Sequence, residues 1–375
     1  MTSATTNNAT MDSVVTNSTT LSNVITSNAG ANDSVTNNMM TDNTTASSTT
    51  AASTMMTIAE TAQWLNDRDN FLIITHRRPD GDALGCAGAL ALGLGELGKK
   101  AYVLQNPEVT PRYEWLINDY CAPDGFTPDY TITVDTASPE LFPKNFTESD
   151  GQVSLSIDHH PSNSMYAEYI CLDGTCASCG EVIYSLLMEL SGALNAKAAG
   201  YLYAALSTDT GCFEFANTTA NTLRVAALLI DAGASNQDIN RLLFRTKSLG
   251  RVKIEGLIYS GLEFYFDGTV AISTITLSMM KEVNATEDDV DDIASIPGAI
   301  DGVLVGITLR EMTSTNDCKV SVRTSPTVNA HGICAKLGGG GHAMAAGCTF
   351  DTSVIEARDA LLKILPEFLP NERQK

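Results

Sequence analysis

Six side chains of this 375-residue chain, His76, Asp80, Asp82, Asp135, His159 and Asp209, could ligate divalent cations. They offer carboxylate oxygen and imidazole nitrogen and no thiolate, a donor set that suits Mn²⁺ or Mg²⁺ better than structural zinc. Two such ions, about 3.5–4 Å apart, can hold the attacking and leaving oxygens of a phosphoryl displacement. That chemistry needs a carboxylate shared between the ions and a hydroxide generated on them. The densest of these segments is Asp158-His159-His160, at the end of the apolar run 153–157.

Each residue also has a plainer reading. An isolated Asp at a strand end is more often a helix cap or turn residue, and Asp82 and Asp209 fit that description. His76 alone would pass for a structural histidine, and His159 and His160 lack the i, i+4 spacing of a helical zinc site. Placement decides for ligation. His76 follows the apolar run 71–75, Asp135 follows 132–134, and Asp158 follows 153–157. The segment 208–211, which carries Asp209, reads in the same strand-end context. Helical patterns at 57–66, 82–97, 181–190, 196–206 and 219–232 alternate with strands at 71–75, 101–104, 132–134 and 153–157. This alternation predicts an α/β fold with a doubly wound, mostly parallel sheet, in which ligands bind beyond the carboxyl ends of the strands. Four segments distant in sequence would then meet at one sheet edge.

The second half reads differently. A basic stretch at 241–253 predicts a connecting helix, and 270–277, 303–309 and 319–323 predict strands. The acidic segment 287–296 and the stretch 355–365 predict helices, giving a second, smaller α+β domain. The expected boundaries are an extension at 1–56, a first domain at 57–240, a linker helix at 241–256 and a second domain at 257–375. The run Gly338, Gly339, Gly340, Gly341 frees the backbone for positive φ and predicts an anion nest of converging N–H groups. His342 and Arg323 would add side-chain donors to it.

The formal charge of −21 excludes a surface that grips long nucleic acid by counterion release. An anionic substrate has to be short and held by a local basic pocket. Nine cysteines without a secretory signal predict reduced thiols and a cytoplasmic location, and the apolar runs are too short for a membrane span. Cys171, Cys176 and Cys179 have a spacing like some iron–sulfur ligands, but they lead straight into a helix and read better as packed thiols. Residues 1 to about 55, rich in Thr, Asn, Ser, Ala and Met, predict disorder. Met55 and Met56 leave open that this tract is an upstream extension, and its three acidic residues are too few to alter the acidic character of the rest.

From about residue 58 to 370 the chain resembles the DHH phosphoesterase superfamily. His76-x-x-Pro79-Asp80-x-Asp82 is similar to its first motif, Asp135 to its second, Asp158-His159-His160 to its third and Asp209-Thr210-Gly211 to its fourth. Residues 320–325 with Gly338–Gly341 and His342 resemble the associated DHHA1 domain. Order and spacing resemble short bacterial members that degrade nanoRNA and dephosphorylate 3′-phosphoadenosine 5′-phosphate. The resemblance implies two divalent ions, Mn²⁺ first with Mg²⁺ or Co²⁺ as substitutes. One ion would be held by His76, Asp80 and a bridging Asp135, the other by Asp82, Asp135, His159 and Asp209. His160 would face the scissile phosphate, Asp158 would orient the histidines, and Arg323, Gly339, Gly340, Gly341 and His342 would bind substrate. Arg77 and Arg78 stand where the family is often less charged. Other readings are a phosphodiesterase for linear or cyclic dinucleotides such as pApA and cyclic di-AMP, and a non-catalytic nucleotide sensor. A pyrophosphatase is disfavoured by the glycine–histidine motif, and a homodimer is left open.

Overall fold

The computed structural model describes residues 53–147, 151–290, 293–312 and 317–370. In chain order the first part contains β1 (Thr54–Met55), α1 (Ile58–Asn66), β2 (Phe71–Ile74), α2 (Gly81–Glu96), β3 (Ala101–Val103) and β4 (Tyr130–Val134). There follow β5 (Val153–Asp158), β6 (Tyr169–Leu172), α3 (Cys179–Ser191), α4 (Ala196–Asp209), α5 (Ala220–Asp231) and α6 (Asn236–Asn240). These strands form one sheet in the order β1-β6-β5-β4-β2-β3, with every pairing parallel. The chain leaves β2 for one neighbour, β3, and then returns to its other side with β4. The switch point therefore lies between β2 and β4, the strands that release His76 and Asp135. All four residues of β2 are buried, as expected for a parallel strand covered on both faces.

Local chemistry sets the helix starts. The Thr57 hydroxyl accepts from the Glu60 amide and the Glu60 carboxylate reaches back to Thr57, a capping box that opens α1. Asp80 caps α2 by accepting from the amides of Asp82 and Ala83. Helices α2 and α4 then pack at short range through glycine. A Cβ on Gly85 would stand 2.5 Å from the Tyr201 carbonyl, and one on Gly81 2.4 Å from the Thr208 side chain. This close, antiparallel contact sets the C-terminal end of α4, with Asp209, beside the N-terminal end of α2, with Asp82.

The edge of the first sheet lies ahead of residue 57, since Thr54–Met55 pairs with β6, the Thr54 amide donating to the Glu168 carbonyl. The rest of the polar tract, residues 1–52, lies outside the described residues. Asp209 is not at a strand end, as expected: it is the last residue of α4, three residues beyond the helix predicted at 196–206.

The basic connection is not one continuous helix. A π-helical turn, Arg241–Arg245, ends at an extended Thr246, and Ser248 caps a new helix, α7 (Leu249–Ser260), by accepting from the Arg251 amide. The second part comprises β7 (Glu263–Tyr265), β8 (Val270–Ile275), α8 (Leu277–Val283), β9 (Val305–Glu311), β10 (Cys318–Thr324), α9 (Ala330–Ala335), β11 (Gly340–Gly341), β12 (Ala345–Phe350) and α10 (Val354–Ile364). Its strands form a mixed sheet, β11-β12-β10-β9-β8-β7, in which only β8 and β9 run parallel. Among the described residues of 287–296, short 3₁₀ turns replace the expected helix. The Asp289 carboxylate accepts from the Thr286 amide and hydroxyl and from Ser248, local bonds that compete with helical ones. Each sheet has its own apolar core, one centred on Phe71, Leu90, Ile132 and Leu202, the other on Ile272, Ile307 and Val320.

Candidate metal centre

The carboxyl ends of β2, β4 and β5 deliver His76, Asp135 and the Asp158-His159-His160 segment, and the ends of α2 and α4 deliver Asp80, Asp82 and Asp209. All six expected ligands converge. One group is His76, Asp80 and Asp135; a second is Asp82, His159 and Asp209; a third is Asp135, His159 and His160. Within each, the ligand atoms lie within 4.8 Å of one another.

Asp135 links the groups. Its Oδ2 lies 3.9 Å from His76 Nε2, and its Oδ1 lies 3.5 Å from His159 Nε2. The residue is 4% exposed and adopts a left-handed φ of 52°, a strained conformation that turns the side chain off the end of β4. His159 Nε2 is also 3.8 Å from Asp82 Oδ2 and 3.7 Å from Asp209 Oδ2. Its other ring nitrogen, Nδ1, lies 3.2 Å from the Cys176 carbonyl, which fixes the ring and selects Nε2 as the ligand atom.

The structure also explains why Asp82 is not merely a cap of its own helix. Its carboxylate accepts from the amides of Cys179 and Gly180 at 2.8 and 3.0 Å, so it sits on the N-terminus of α3, and the Cys86 thiol donates to it as well. Asp158 is fully buried, and its Oδ1 accepts from the amides of His159 and His160 and faces His160 Nδ1 at 2.8 Å. Its Oδ2 accepts from the Asn163 amide group at 2.7 Å. Burial alone would raise the Asp158 pKa, but the bonds from His160 and Asn163 outweigh it and hold the carboxyl below its usual range. The same pair raises the His160 imidazole, chiefly through its bond to Asp158. Asn163 and the α3 amides went unnoticed in the sequence, since an Asn in a polar turn and a helix start distant in sequence carry no local signal.

The donor set fits divalent cations. Asp135 Oδ1 and His159 Nε2 are buried and have no hydrogen-bond partner, a costly arrangement that a shared cation resolves. Without metal, burial pushes Asp209 up to about 6 and, with Asp135 and Asp209 nearby, raises Asp82 well above the carboxylate range. Burial would lower His159, but the carboxylates of Asp135, Asp82 and Asp209 outweigh it and push the imidazole up to about 10. All three groups bind protons more tightly folded than unfolded. Their stabilisation is complete below the unfolded pKa values and is lost as pH rises, through about 6 for Asp209 and through about 10 for His159. The melting temperature of EDTA-treated protein is therefore expected to fall between pH 5 and pH 8, with Asp209 alone accounting for about 1.4 kcal/mol over that window. Added Mn²⁺ should raise it most at the upper end, where metal no longer competes with protons. Scanning calorimetry across that range, with and without Mn²⁺, checks both slopes; a melting temperature that rises with pH in EDTA would refute the proton linkage.

The glycine–histidine segment does not form the expected nest. The amides of Gly338, Gly339 and His342 already donate to the carbonyls of Ala335, Cys334 and Ala345. Of the four glycines, Gly338 and Gly341 have positive φ. Gly339 is needed for close approach instead, since a Cβ there would stand 2.2 Å from the Gly347 carbonyl. Arg323, opposite Ala345, and Gly341, opposite Ala346, flank the start of β12, and His331 Nδ1 lies 2.9 Å from the Gly341 carbonyl. Arg323, His342 and the glycines thus gather on the second sheet. Among the described residues, no helix is long and apolar enough to cross a membrane.

Comparison with known proteins agrees with this arrangement. Residues 70–206 match the family model described as the DHH family, N-terminal domain, and residues 267–371 match the DHHA1 domain. A Thermus thermophilus protein named bifunctional oligoribonuclease and PAP phosphatase NrnA is 34% identical over 280 residues, covering 74% of this chain and 83% of its own. A Bacillus subtilis protein of the same name is 29% identical over 289 residues, covering 75% and 89%. The crystal structure of an exopolyphosphatase-related protein from Bacteroides fragilis shares the fold, with a TM-score of 0.73 at 23% identity over 83% of this chain and 96% of that one. The chain belongs to the DHH family, with a DHHA1 domain following the DHH domain, and is a phosphoesterase.

Proposed function

We propose that this phosphoesterase is metal-dependent, hydrolyses very short oligonucleotides to mononucleotides, and converts 3′-phosphoadenosine 5′-phosphate to AMP. The observation that carries the reading is Asp135, a buried carboxylate whose two oxygens face different histidines and so can serve two ions at once. His76, Asp80 and Asp135 would hold one ion, and Asp82, Asp135, His159 and Asp209 the other. Two divalent ions, Mn²⁺ in the first instance, would supply Lewis-acid polarisation of the phosphate and a nucleophile at neutral pH. Asp158 positions both histidines from behind and favours the charged form of His160, and His160, less buried than His159, stabilises the negative charge that builds on the phosphate oxygens. Arg323, Gly339, Gly340, Gly341 and His342, in the domain from about residue 257 onward, would contact the remainder of the substrate and limit its length.

The relatives named for oligoribonuclease and PAP phosphatase activity support the substrate class. The chain's charge of −21 supports short substrates, because only a local cluster of cations can hold an anion here. Nine free thiols suit a reducing cytoplasm. The test is a panel of dinucleotide RNA, pApA, cyclic di-AMP, 3′-phosphoadenosine 5′-phosphate and a long single-stranded RNA, each with Mn²⁺. Turnover of the dinucleotides and of the phosphoadenosine compound, with the long RNA left intact, is expected. Preferential cleavage of cyclic di-AMP would move the substrate assignment, and no turnover of any would leave a nucleotide sensor.

A further inference from the structure

A cleft of about 360 Å³ adjoins the metal cluster at Asp80 and is walled by both sheets' domains. Arg78 and Arg112 line it from the first, Arg310 and Lys319 from the second. None of these four belongs to the ligand set or to the glycine–histidine segment. Arg310 and Lys319 stand directly opposite each other on the antiparallel strands β9 and β10, so both side chains leave the same face. Like charges in that position repel and destabilise a sheet unless something negative lies between them. Glu287 pairs with Arg310, yet the buried Arg310 Nε has no hydrogen-bond acceptor. Glu108 likewise holds Arg78 across 3.3 Å. Both arginines are thus held by carboxylates on the cleft wall, partners that a phosphate can replace with stronger, bidentate geometry.

We propose that this cleft is a second anion subsite, which takes a phosphate of the substrate other than the one being cleaved. The inference rests on the reading of a short-nucleotide phosphoesterase and adds how its substrate is chosen. A dinucleotide with a 5′-phosphate, or a nucleoside bisphosphate, carries a second phosphate one nucleoside away from the scissile one. A substrate with a single phosphate has nothing to place there. The cleft therefore selects for two-phosphate substrates, with Lys319 and Arg78 as the accessible donors.

The test compares pApA with ApA, which lacks the 5′-phosphate, for wild type, Lys319→Ala and Arg78→Ala. The preference for pApA in kcat/KM is expected to fall about tenfold in each variant, mainly through KM, the effect of one lost charge-assisted contact. An equal loss on both substrates, or no loss, would overturn the subsite. Titrating both dinucleotides calorimetrically into the full-length protein in EDTA keeps the two readings separable. Tighter binding of pApA, removed by Lys319→Ala, supports the subsite even if no turnover occurs, in which case the catalytic reading alone fails. Equal wild-type affinity for the two dinucleotides would dismiss the subsite whatever the turnover.

Discussion

Asp135→Asn is expected to lower kcat on a dinucleotide by roughly a thousandfold or more, corresponding to the several kcal/mol that a correctly held metal pair supplies. The effect should be this large because, among the described residues, no other carboxylate faces both His76 and His159. Asn keeps the size of the side chain but removes the charge that holds two cations near each other. Folding should survive. In EDTA the variant should melt at the same temperature as wild type or higher, because one of several crowded buried carboxylates has been neutralised. Near-wild-type activity with added Mn²⁺ would show that Asp135 does not bridge.

The second large effect divides the two histidines. His159 lies within 4 Å of Asp82, Asp135 and Asp209, whereas His160 is bonded to Asp158 and its side chain is 42% exposed. His159→Ala should weaken Mn²⁺ binding by about a hundredfold or more, since even outer partners of a ligand are worth ten- to a hundredfold. His160→Ala should leave Mn²⁺ affinity near wild type and slow turnover by about 10²–10³-fold, the cost of losing one donor to developing charge. Metal titration followed by saturation kinetics separates them. A matching loss of metal affinity in both variants would remove the distinction.

The sequence announced the cluster because its ligands follow strands whose apolar runs are unmistakable: 71–74, 130–134 and 153–158. It misplaced Asp209, because the end of α4 continues past its apolar pattern through Ser207, Thr208 and Asp209. Only the glycine contacts between α2 and α4 show why a helix end reaches the same centre. The second sheet was harder to read. β7 is three residues long, β11 consists of two glycines, and β12 begins with small residues, so none displays clear alternation. The glycine run predicts an anion nest because a run of Gly looks the same whether it frees φ or admits a neighbouring strand. The expected linker helix is interrupted at the extended Thr246 and restarts at the Ser248 cap, inside a stretch whose basic pattern runs on unbroken. The cleft's basic residues lie far apart in the sequence, and the register that sets Arg310 opposite Lys319 exists only in the folded sheet.

Counting the Mn²⁺ ions bound per chain, by equilibrium dialysis with elemental analysis of wild type and Asp135→Asn, tests the central claim most directly. Two ions on the wild-type chain and fewer than two on the variant are predicted. A single ion on wild type, or two held equally well without the Asp135 carboxylate, would contradict a centre built around that residue.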